Sequence, residues 1–264
     1  MSDQTSLPHL RAVRYVVPLR EGGSLPAVVE ADDGQLYVMK FHGAGQGVKA
    51  LIAEVISGRI GQALGLSVPE LVLLEMGTEL GRSEPNPEIR ELLRASTGLN
   101  FGMRYLPGAL AYTPMAPPLP DARLASSIVW FDAYITNVDR TARNVNMLIA
   151  QGRHWLIDHG ASLIFHHGWD DYMARSTTPF PFIRQHVLLP LATDLSGVDG
   201  ALRARLTDDV LAAIAADVPD AWLKDEDQFA SPAEVRNAYA AYLRARRDGA
   251  DAFVEEARHA HEQL

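Results

Sequence analysis

A proline-rich stretch near the middle of the chain is the feature that most restricts its fold. Five prolines lie between Pro107 and Pro120 inclusive. Proline lacks a backbone N–H, and its ring clashes with the preceding helical turn, so neither a helix nor a central strand continues through such a stretch. We therefore expect residues 109–121 to be a linker between two lobes of different structure.

The residues before this linker are rich in short strand-like segments. The strand-like segments within residues 13–41 predict strands on either side of a DDG hairpin turn at positions 32–34. The segments LSVPELVLLEM and LNFGMRYLPG predict further strands. We expect a small β-rich N-lobe over residues 1–108.

One main helix is predicted within this β-rich half, from about Val48 to Leu64. Its apolar residues recur on one face of a 3.6-residue period, and Gly65 follows as a C-terminal cap. The segment GAGQG at 43–47 precedes the helix. We interpret it as a flexible lid or connector, and contact of its backbone with phosphate stays open as an alternative.

The residues after the linker are mainly helical in pattern. A helix is predicted from Asp121 to about Thr136, followed by two short strands, VNMLIA and HWLID. From about residue 185 the pattern is helical to the end, and we interpret the basic run LRARRDG as a solvated helix end. The expected fold class is α+β, with a mainly helical C-lobe over residues 109–264.

Composition excludes several classes of function. The 24 Lys and Arg against 33 Asp and Glu give a net charge of −9, which disfavours nucleic acids and anionic membranes as partners. Cysteine is absent, so disulfide frameworks and thiolate sites are excluded. No apolar run is long enough for a membrane span, and no secretory signal pattern is present, so we expect a cytoplasmic protein.

Two charged residues occur where a packed helix would bring them together. Lys40 lies in the predicted strand LYVMKF, and Glu54 lies on the helix that follows it. Taken singly, Lys40 is best explained as a solvent-facing strand residue and Glu54 as an exposed helix residue. A helix packed on the sheet would place Glu54 beside Lys40.

A second set of polar residues follows the linker. Asp139 and Asn144 occur in NVDRTARN with D-x-x-x-x-N spacing, and Asp158 follows in LIDHG. These residue types suit phosphoryl transfer, since lysine binds phosphates and amide or carboxylate oxygens bind Mg²⁺. A carboxylate also orients an attacking hydroxyl. Their order, with Lys40 and Glu54 upstream, is that of the kinase template.

Four stretches carry a resemblance to a known family. They are YVMKFHGAGQGVKALIAEVISGRIGQALGLSVPELVLLEM, NFGMRYLPGA, FDAYITNVDRTARNVNMLI and WLIDHGASLIFHH. These stretches resemble the small, stand-alone HipA-type kinases and, more distantly, phosphatidylinositol kinases, over roughly residues 12–225. The resemblance implies a bilobal protein-kinase-like fold and an ATP- and magnesium-dependent phosphotransferase.

The resemblance also implies roles for the site residues. Lys40 would bind the α- and β-phosphates of ATP, and Glu54 would hold Lys40. Asp139 would be the catalytic aspartate, and Asn144 and Asp158 the metal ligands.

Two further segments complete the expected nucleotide site. The backbone of Tyr105 and Leu106 would lie near adenine. The REGGS turn at 20–24 stands where a kinase has its glycine-rich loop, so Gly23 and Ser24 are candidates for phosphate contact. A plain hairpin at this turn is the alternative.

The sequence departs from ordinary protein kinases near the catalytic loop. Asn137 and Val138 replace the His-Arg pair before the catalytic aspartate, and His159 replaces the Phe of Asp-Phe-Gly, so regulation through a buried Phe has no counterpart. Arg140 and Arg143 are expected either to touch phosphate or substrate or to pair with surface acids.

Histidines cluster in the same part of the sequence. His154, His159, His166 and His167 lack the ordered spacing of a zinc site, and we interpret them as surface or cleft residues.

The expected function is transfer of the γ-phosphate of ATP to a hydroxyl group. The acceptor is a protein Ser or Thr or a small molecule, and no nucleic acid partner is expected. The alternative is a catalytically silent nucleotide-binding or interaction module on the same fold.

Overall fold

The computed structural model describes residues 6–19, 25–81 and 84–264. In that part of the chain the strands are β1 (His9–Pro18), β2 (Ala27–Ala31), β3 (Leu36–Lys40), β4 (Leu71–Met76), β5 (Gly98–Arg104), β6 (Leu110–Ala111), β7 (Met147–Ala150) and β8 (Arg153–Leu156). The α-helices are α1 (Gly47–Ala63), α2 (Pro87–Ala95), α3 (Ala122–Tyr134), α4 (Tyr172–Arg175), α5 (Leu195–Arg205), α6 (Asp208–Ala216), α7 (Pro232–Asp248) and α8 (Asp251–Glu262). Short 3₁₀ turns cover Ile164–His167, Pro181–Gln185, Leu189–Leu191 and Asp220–Trp222.

The first five strands close into a barrel in the order β1-β2-β3-β5-β4. Neighbouring strands are antiparallel except β1 and β4, which pair in parallel from His9 opposite Leu73. The predicted DDG turn joins β2 to β3, and Gly34 adopts a φ of +75°, which glycine tolerates without a steric penalty. The strands predicted before the linker are therefore confirmed, and the closing β1–β4 pair leaves the sheet without an edge.

The barrel interior is packed tightly enough to require glycine at one position. Its buried core contains Ala12, Ala27, Val29, Ala31, Tyr37, Met39, Phe41, Val72, Leu74, Met76 and Leu93. A Cβ atom added to Gly102 in β5 would lie 2.5 Å from Leu74 Cδ1 and 2.7 Å from Val72 Cγ2. Gly102 therefore provides the space that these two side chains of β4 occupy.

Helix α1 is buried on all sides, so the expectation of a single apolar face was wrong. Every residue from Ala50 to Gly58 is buried. The helix contacts β4 and β5 on the barrel and α6 in the helical part of the chain. Gly58 and Gly61 permit this close packing, because added Cβ atoms would lie 2.6 Å from Leu71 and 2.8 Å from Val68. Glu54 lies in the middle of this buried stretch.

A three-stranded sheet joins the barrel to the helical part. The predicted strands VNMLIA and HWLID form the antiparallel hairpin of β7 and β8. Strand β6, which was not predicted because it lies in the proline-rich linker, pairs with β7. Ser67, just beyond α1, accepts a backbone hydrogen bond from Leu156 at 2.8 Å and fixes the hairpin beside that helix.

Helix α3 forms the centre of the helical part. Asp121 caps it by accepting a hydrogen bond from the Leu124 backbone N–H at 2.7 Å. Trp130 and Phe131 are fully buried. The helix packs against α5 and α8, and its apolar cluster is continuous with that around α1. Within the described residues, no helix has the length and apolar character needed to cross a membrane.

Arg246, in the basic run near the C-terminus, is fully buried, so its prediction as part of a solvated helix end was wrong. Its guanidinium donates to the backbone oxygens of Ala133 at 2.7 Å and Tyr134 at 2.8 Å, at the end of α3. It also donates to the Ser176 and Thr178 oxygens at 3.1 and 3.2 Å. Arg246 thus donates to carbonyls at the end of α3, where the regular i+4 N–H donors of a helix interior are missing.

We predict that Gly102→Ala destabilises the barrel. The added methyl group collides with Leu74 and Val72, and such overpacking costs about 1–3 kcal/mol of unfolding free energy. Urea unfolding measures this loss. Gly45→Ala is the matched control, because an added Cβ at Gly45 meets nothing within 4 Å. Equal stability of the two variants would contradict the packing argument.

Candidate active site

Lys40 lies between two carboxylates from distant parts of the chain. Its Nζ atom is 2.5 Å from Glu54 Oε1 and 2.6 Å from Asp158 Oδ1. Lys40 ends β3, Glu54 lies on α1, and Asp158 follows β8. The Lys40 side chain is 12% exposed and that of Glu54 is fully buried, so the solvent-facing interpretations of both residues were wrong.

The ion pairs outweigh the cost of burial at this site. Burial by itself would lower the pKa of Lys40, but Glu54 and Asp158 together raise it above its usual range. Burial would likewise raise the pKa of Glu54, but the Lys40 charge, followed by the contact with His159, holds it well below its usual range. Both groups are therefore charged at neutral pH.

Asp139 is oriented by two amide side chains. Its Oδ2 atom accepts hydrogen bonds from Asn144 Nδ2 at 2.6 Å and from Asn146 Nδ2 at 3.2 Å. The Asp139 backbone N–H donates to Asn137 Oδ1 at 3.0 Å. Asp139 Oδ1 accepts no hydrogen bond from the described residues. Asn146 was missed in the sequence, where the only signal is its position two residues after Asn144.

Asn144 and Asp158 retain oxygen atoms suited to a divalent cation. Because Asn144 Nδ2 donates to Asp139, its Oδ1 is left as a ligand atom. Asp158 uses Oδ1 for Lys40, and its side chain is 44% exposed. Hard oxygen donors of this kind suit Mg²⁺. In the part of the chain that is described, no three His, Cys, Asp or Glu residues converge on a metal position, so a cation here needs phosphate or water ligands as well.

Arg140 connects the elements that carry these polar residues. Its fully buried side chain donates from Nε to Asp132 Oδ2 at 2.5 Å. It also donates to the backbone oxygens of Asn146 and Ile157. Since Asp132 belongs to α3 and Ile157 precedes Asp158, Arg140 fixes the loop between them. The prediction that Arg140 contacts phosphate, substrate or a surface acid was wrong.

Asp132 is the buried acceptor at the centre of this arrangement. It accepts from Asn137 Nδ2 at 2.8 Å, and its Oδ2 is 2.8 Å from His186 Nε2. His186 Nδ1 accepts from the Leu188 backbone N–H at 3.0 Å, so the ring proton is on Nε2 and is donated to Asp132. Burial would raise the pKa of Asp132, but the Arg140 charge and then His186 hold it well below its usual range.

His186 also places a second segment beside the loop at 137–144. It forms an isolated antiparallel bridge with Thr141, and the Val187 N–H donates to the Arg140 backbone oxygen at 3.1 Å. Sequence reasoning missed Asp132 and His186. The available signal was a single carboxylate inside the apolar run SSIVWFDAYI.

Comparison with known proteins identifies the family. A family model described as HipA-like kinase matches residues 13–254. The chain belongs to the HipA-like kinase family. It is therefore a kinase, as predicted. A comparison with curated protein sequences gives no significant match.

A solved structure supports the kinase fold. The crystal structure of the Helicobacter pylori proinflammatory kinase CtkA is similar with a TM-score of 0.53 and 13% sequence identity, covering 97% of this chain and 99% of that chain. At this identity the likeness shows the fold alone. The Golgi casein kinase with Mn/ADP bound is similar with a TM-score of 0.48 and 13% identity, covering 98% of this chain and 74% of that chain.

Two histidines of this HipA-like kinase are buried, contrary to expectation. His159 is fully buried, with Nδ1 3.7 Å from Glu54 Oε2 and its ring edge-on to Phe131. A buried ring is thus present at the position where protein kinases have Phe. His166 is also buried, with Nδ1 2.9 Å from the Tyr239 hydroxyl, and burial lowers its pKa.

The other residues proposed for the nucleotide and substrate site make few contacts or lie outside the described residues. Tyr105 and Leu106 directly follow β5, and the Tyr105 N–H donates to the Leu36 oxygen at 2.9 Å. Arg143 is exposed and has no side-chain partner among the described residues. Gly23 and Ser24 lie outside the described residues.

The GAGQG segment is anchored at its first residue. The Gly43 N–H donates to Ser96 Oγ at 3.2 Å, and an added Cβ would lie 2.9 Å from Ala95. Gly43 is therefore held against the C-terminal end of α2, and the role of GAGQG as a lid, a connector or a phosphate contact stays a prediction.

We predict that Asp132 makes this kinase lose stability as the pH falls into the acidic range. Below the ordinary aspartate pKa of about 4, Asp132 is protonated in the unfolded chain but stays ionised in the folded protein. The stabilisation is therefore complete above that pH and is lost as the pH falls toward the depressed folded-state pKa. Urea unfolding between neutral and acidic pH should show a shallower acid slope for Asp132→Asn than for the wild type.

The same variant should be less stable at neutral pH, by about 3–5 kcal/mol, because Arg140 is left buried without its anion. The exposed Asp170 provides the control, and Asp170→Asn should keep the wild-type slope. An unchanged acid slope for Asp132→Asn would show that Asp132 does not carry this linkage.

Proposed function

We propose that this chain transfers the γ-phosphate of ATP to a hydroxyl group with Mg²⁺ as the metal ion. The observation that carries the proposal is the convergence of Lys40, Glu54 and Asp158 from three separate elements. A buried lysine held by one carboxylate beside a second, partly exposed carboxylate matches the requirement for neutralising phosphate charge.

The proposed architecture is bilobal, with an N-lobe over residues 1–108 and a C-lobe over residues 109–264. The closed barrel ends at Arg104, and the next strand, β6, belongs to the second sheet with β7 and β8. This change of sheet supports a boundary between the lobes near residue 108. ATP would bind between the lobes, with adenine beside the backbone of Tyr105 and Leu106. Gly23 and Ser24 would approach the phosphates.

Lys40 is proposed to bind the α- and β-phosphates. An ammonium group has three N–H donors, and two of them are directed to Glu54 and Asp158. A phosphate oxygen can take the third, while Glu54 keeps Lys40 in place.

Asn144 and Asp158 are proposed to hold Mg²⁺ through their remaining oxygen atoms. The bound ion would neutralise phosphate charge during transfer. The Asn144 amide would serve two purposes in this arrangement, because its nitrogen orients Asp139 and its oxygen would be available to the metal.

Asp139 is proposed as the catalytic residue. Two amide donors on Oδ2 fix its orientation, which leaves Oδ1 to accept the hydrogen bond of the acceptor hydroxyl. This contact points the hydroxyl oxygen at the γ-phosphate.

The proposed acceptor is a protein Ser or Thr or a small molecule that carries a hydroxyl group. The net charge of −9 supports an acceptor other than nucleic acid. The proposed place of action is the cytoplasm.

We predict that Asp139→Ala strongly reduces transfer but preserves nucleotide binding. Loss of the residue that orients the acceptor should reduce turnover by about 10²–10⁴-fold. A screen with γ-labelled ATP and Mg²⁺ against lysate and metabolite fractions measures transfer, and calorimetry measures nucleotide affinity. Asp209→Ala, at an exposed position, is the control. If the wild type binds nucleotide but labels no acceptor, the chain is a catalytically silent module.

We predict a different outcome for Asp158→Ala. This change removes both a proposed metal ligand and a partner of Lys40, so nucleotide affinity should lose its dependence on Mg²⁺ and turnover should disappear. Titration of nucleotide with and without Mg²⁺ separates this effect from that of Asp139→Ala. Magnesium-dependent binding that persists in Asp158→Ala would refute the metal assignment.

A further inference from the structure

Three buried polar atoms beside Lys40 have no hydrogen-bond partner within the described residues. They are Glu54 Oε2 and both ring nitrogens of His159. Unpaired buried polar atoms are rare and costly, so two such groups in contact need a reason. His159 Nδ1 is 3.7 Å from Glu54 Oε2, which is slightly longer than a hydrogen bond.

The backbone around His159 holds its ring against Glu54. The His159 carbonyl accepts hydrogen bonds from the Ser162 backbone at 3.0 Å and from Ser162 Oγ at 2.6 Å. Ser162 Oγ is in turn 2.6 Å from Ser57 Oγ, one helical turn beyond Glu54 on α1. Phe131 closes the other side of the ring, with centroids 5.6 Å apart. The imidazole therefore has a fixed position relative to the helix that carries Glu54.

The two oxygens of Glu54 are in unequal surroundings. Oε1 pairs with Lys40 at 2.5 Å, whereas Oε2 faces the His159 ring. A carboxylate in such a buried site keeps its orientation only if both oxygens meet suitable groups. An imidazole N–H at Nδ1 supplies a donor on the Oε2 side, which a phenyl ring at this position cannot do.

We propose that His159 is a positioning residue for phosphoryl transfer, which orients Glu54 so that Oε1 stays on Lys40. This inference rests on the proposed function of Lys40 in phosphate binding. His159 acts through Glu54 and touches neither nucleotide nor acceptor. His159, which follows the proposed metal ligand Asp158, thus supplies a hydrogen-bond donor to the Lys40–Glu54 pair in addition to its packing.

Two substitutions separate a polar role from a packing role. His159→Phe keeps a buried ring against Phe131 but removes the donor. His159→Asn keeps an N–H close to the position of Nδ1 but leaves a cavity. We expect kcat/KM for ATP to fall by about 10–100-fold in His159→Phe, mainly through KM, because the lost interaction involves a charged acceptor. His159→Asn should recover part of this loss although it is the less stable protein.

A packing role predicts the opposite order, with the Phe variant more active than the Asn variant. That order, or a His159→Phe variant equal to the wild type, would overturn the inference. His167→Phe is the matched control, because it makes the same substitution at an exposed histidine. Its kcat/KM should equal that of the wild type.

A double-mutant cycle tests the contact without relying on activity. Urea unfolding compares the stabilities of Glu54→Gln, His159→Phe and the double variant. The two losses of unfolding free energy should be non-additive, because Glu54 and His159 are in contact with each other. Additive effects would contradict the inference. If the wild type transfers no phosphate, the proposed function fails, whereas this cycle still decides whether His159 acts on Glu54.

Discussion

The ion pairs of Lys40 with Glu54 and Asp158 are the interaction on which the rest of the site depends. Desolvating a charge is expensive, and a buried lysine is tolerated only when carboxylates face it closely. The barrel, helix α1 and the β7–β8 hairpin must therefore be docked in one arrangement for this site to exist. Burial of α1 on all sides provides that docking, because the same helix contacts β4, β5 and α6.

A second buried ion pair organises the loop at 137–144. Asp132 and Arg140 hold the loop to α3, and His186 adds the segment after the Pro181–Gln185 turn. Arg140 also binds the backbone next to Asp158, so the two ion-pair systems meet at the end of the β7–β8 hairpin. The polar residues proposed for catalysis are thus held in place by buried side chains of neighbouring elements.

Much of the fold and the main candidate site residues could be proposed from the sequence because their signals are local or ordered along the chain. The hairpin turn at 32–34, the cap at Gly65 and the order of Lys40, Glu54, Asp139, Asn144 and Asp158 are of this kind. Asp132, His186 and Arg246 were missed or misassigned because each is a single polar residue whose burial depends on elements far away in sequence. A charged residue in an apolar or basic run has the same local pattern whether it is buried or solvated.

The sequence by itself determined most of the element types, the strands that precede the proline-rich linker and which residue types are available for phosphate chemistry. These follow from backbone constraints and side-chain periodicity, which act over a few residues. Only the tertiary structure decided which charges are buried together, which oxygens of Asp139 and Asn144 are left unbonded, and that His159 faces Glu54. Those outcomes depend on desolvation and on contacts between residues up to 118 positions apart, which no local pattern encodes.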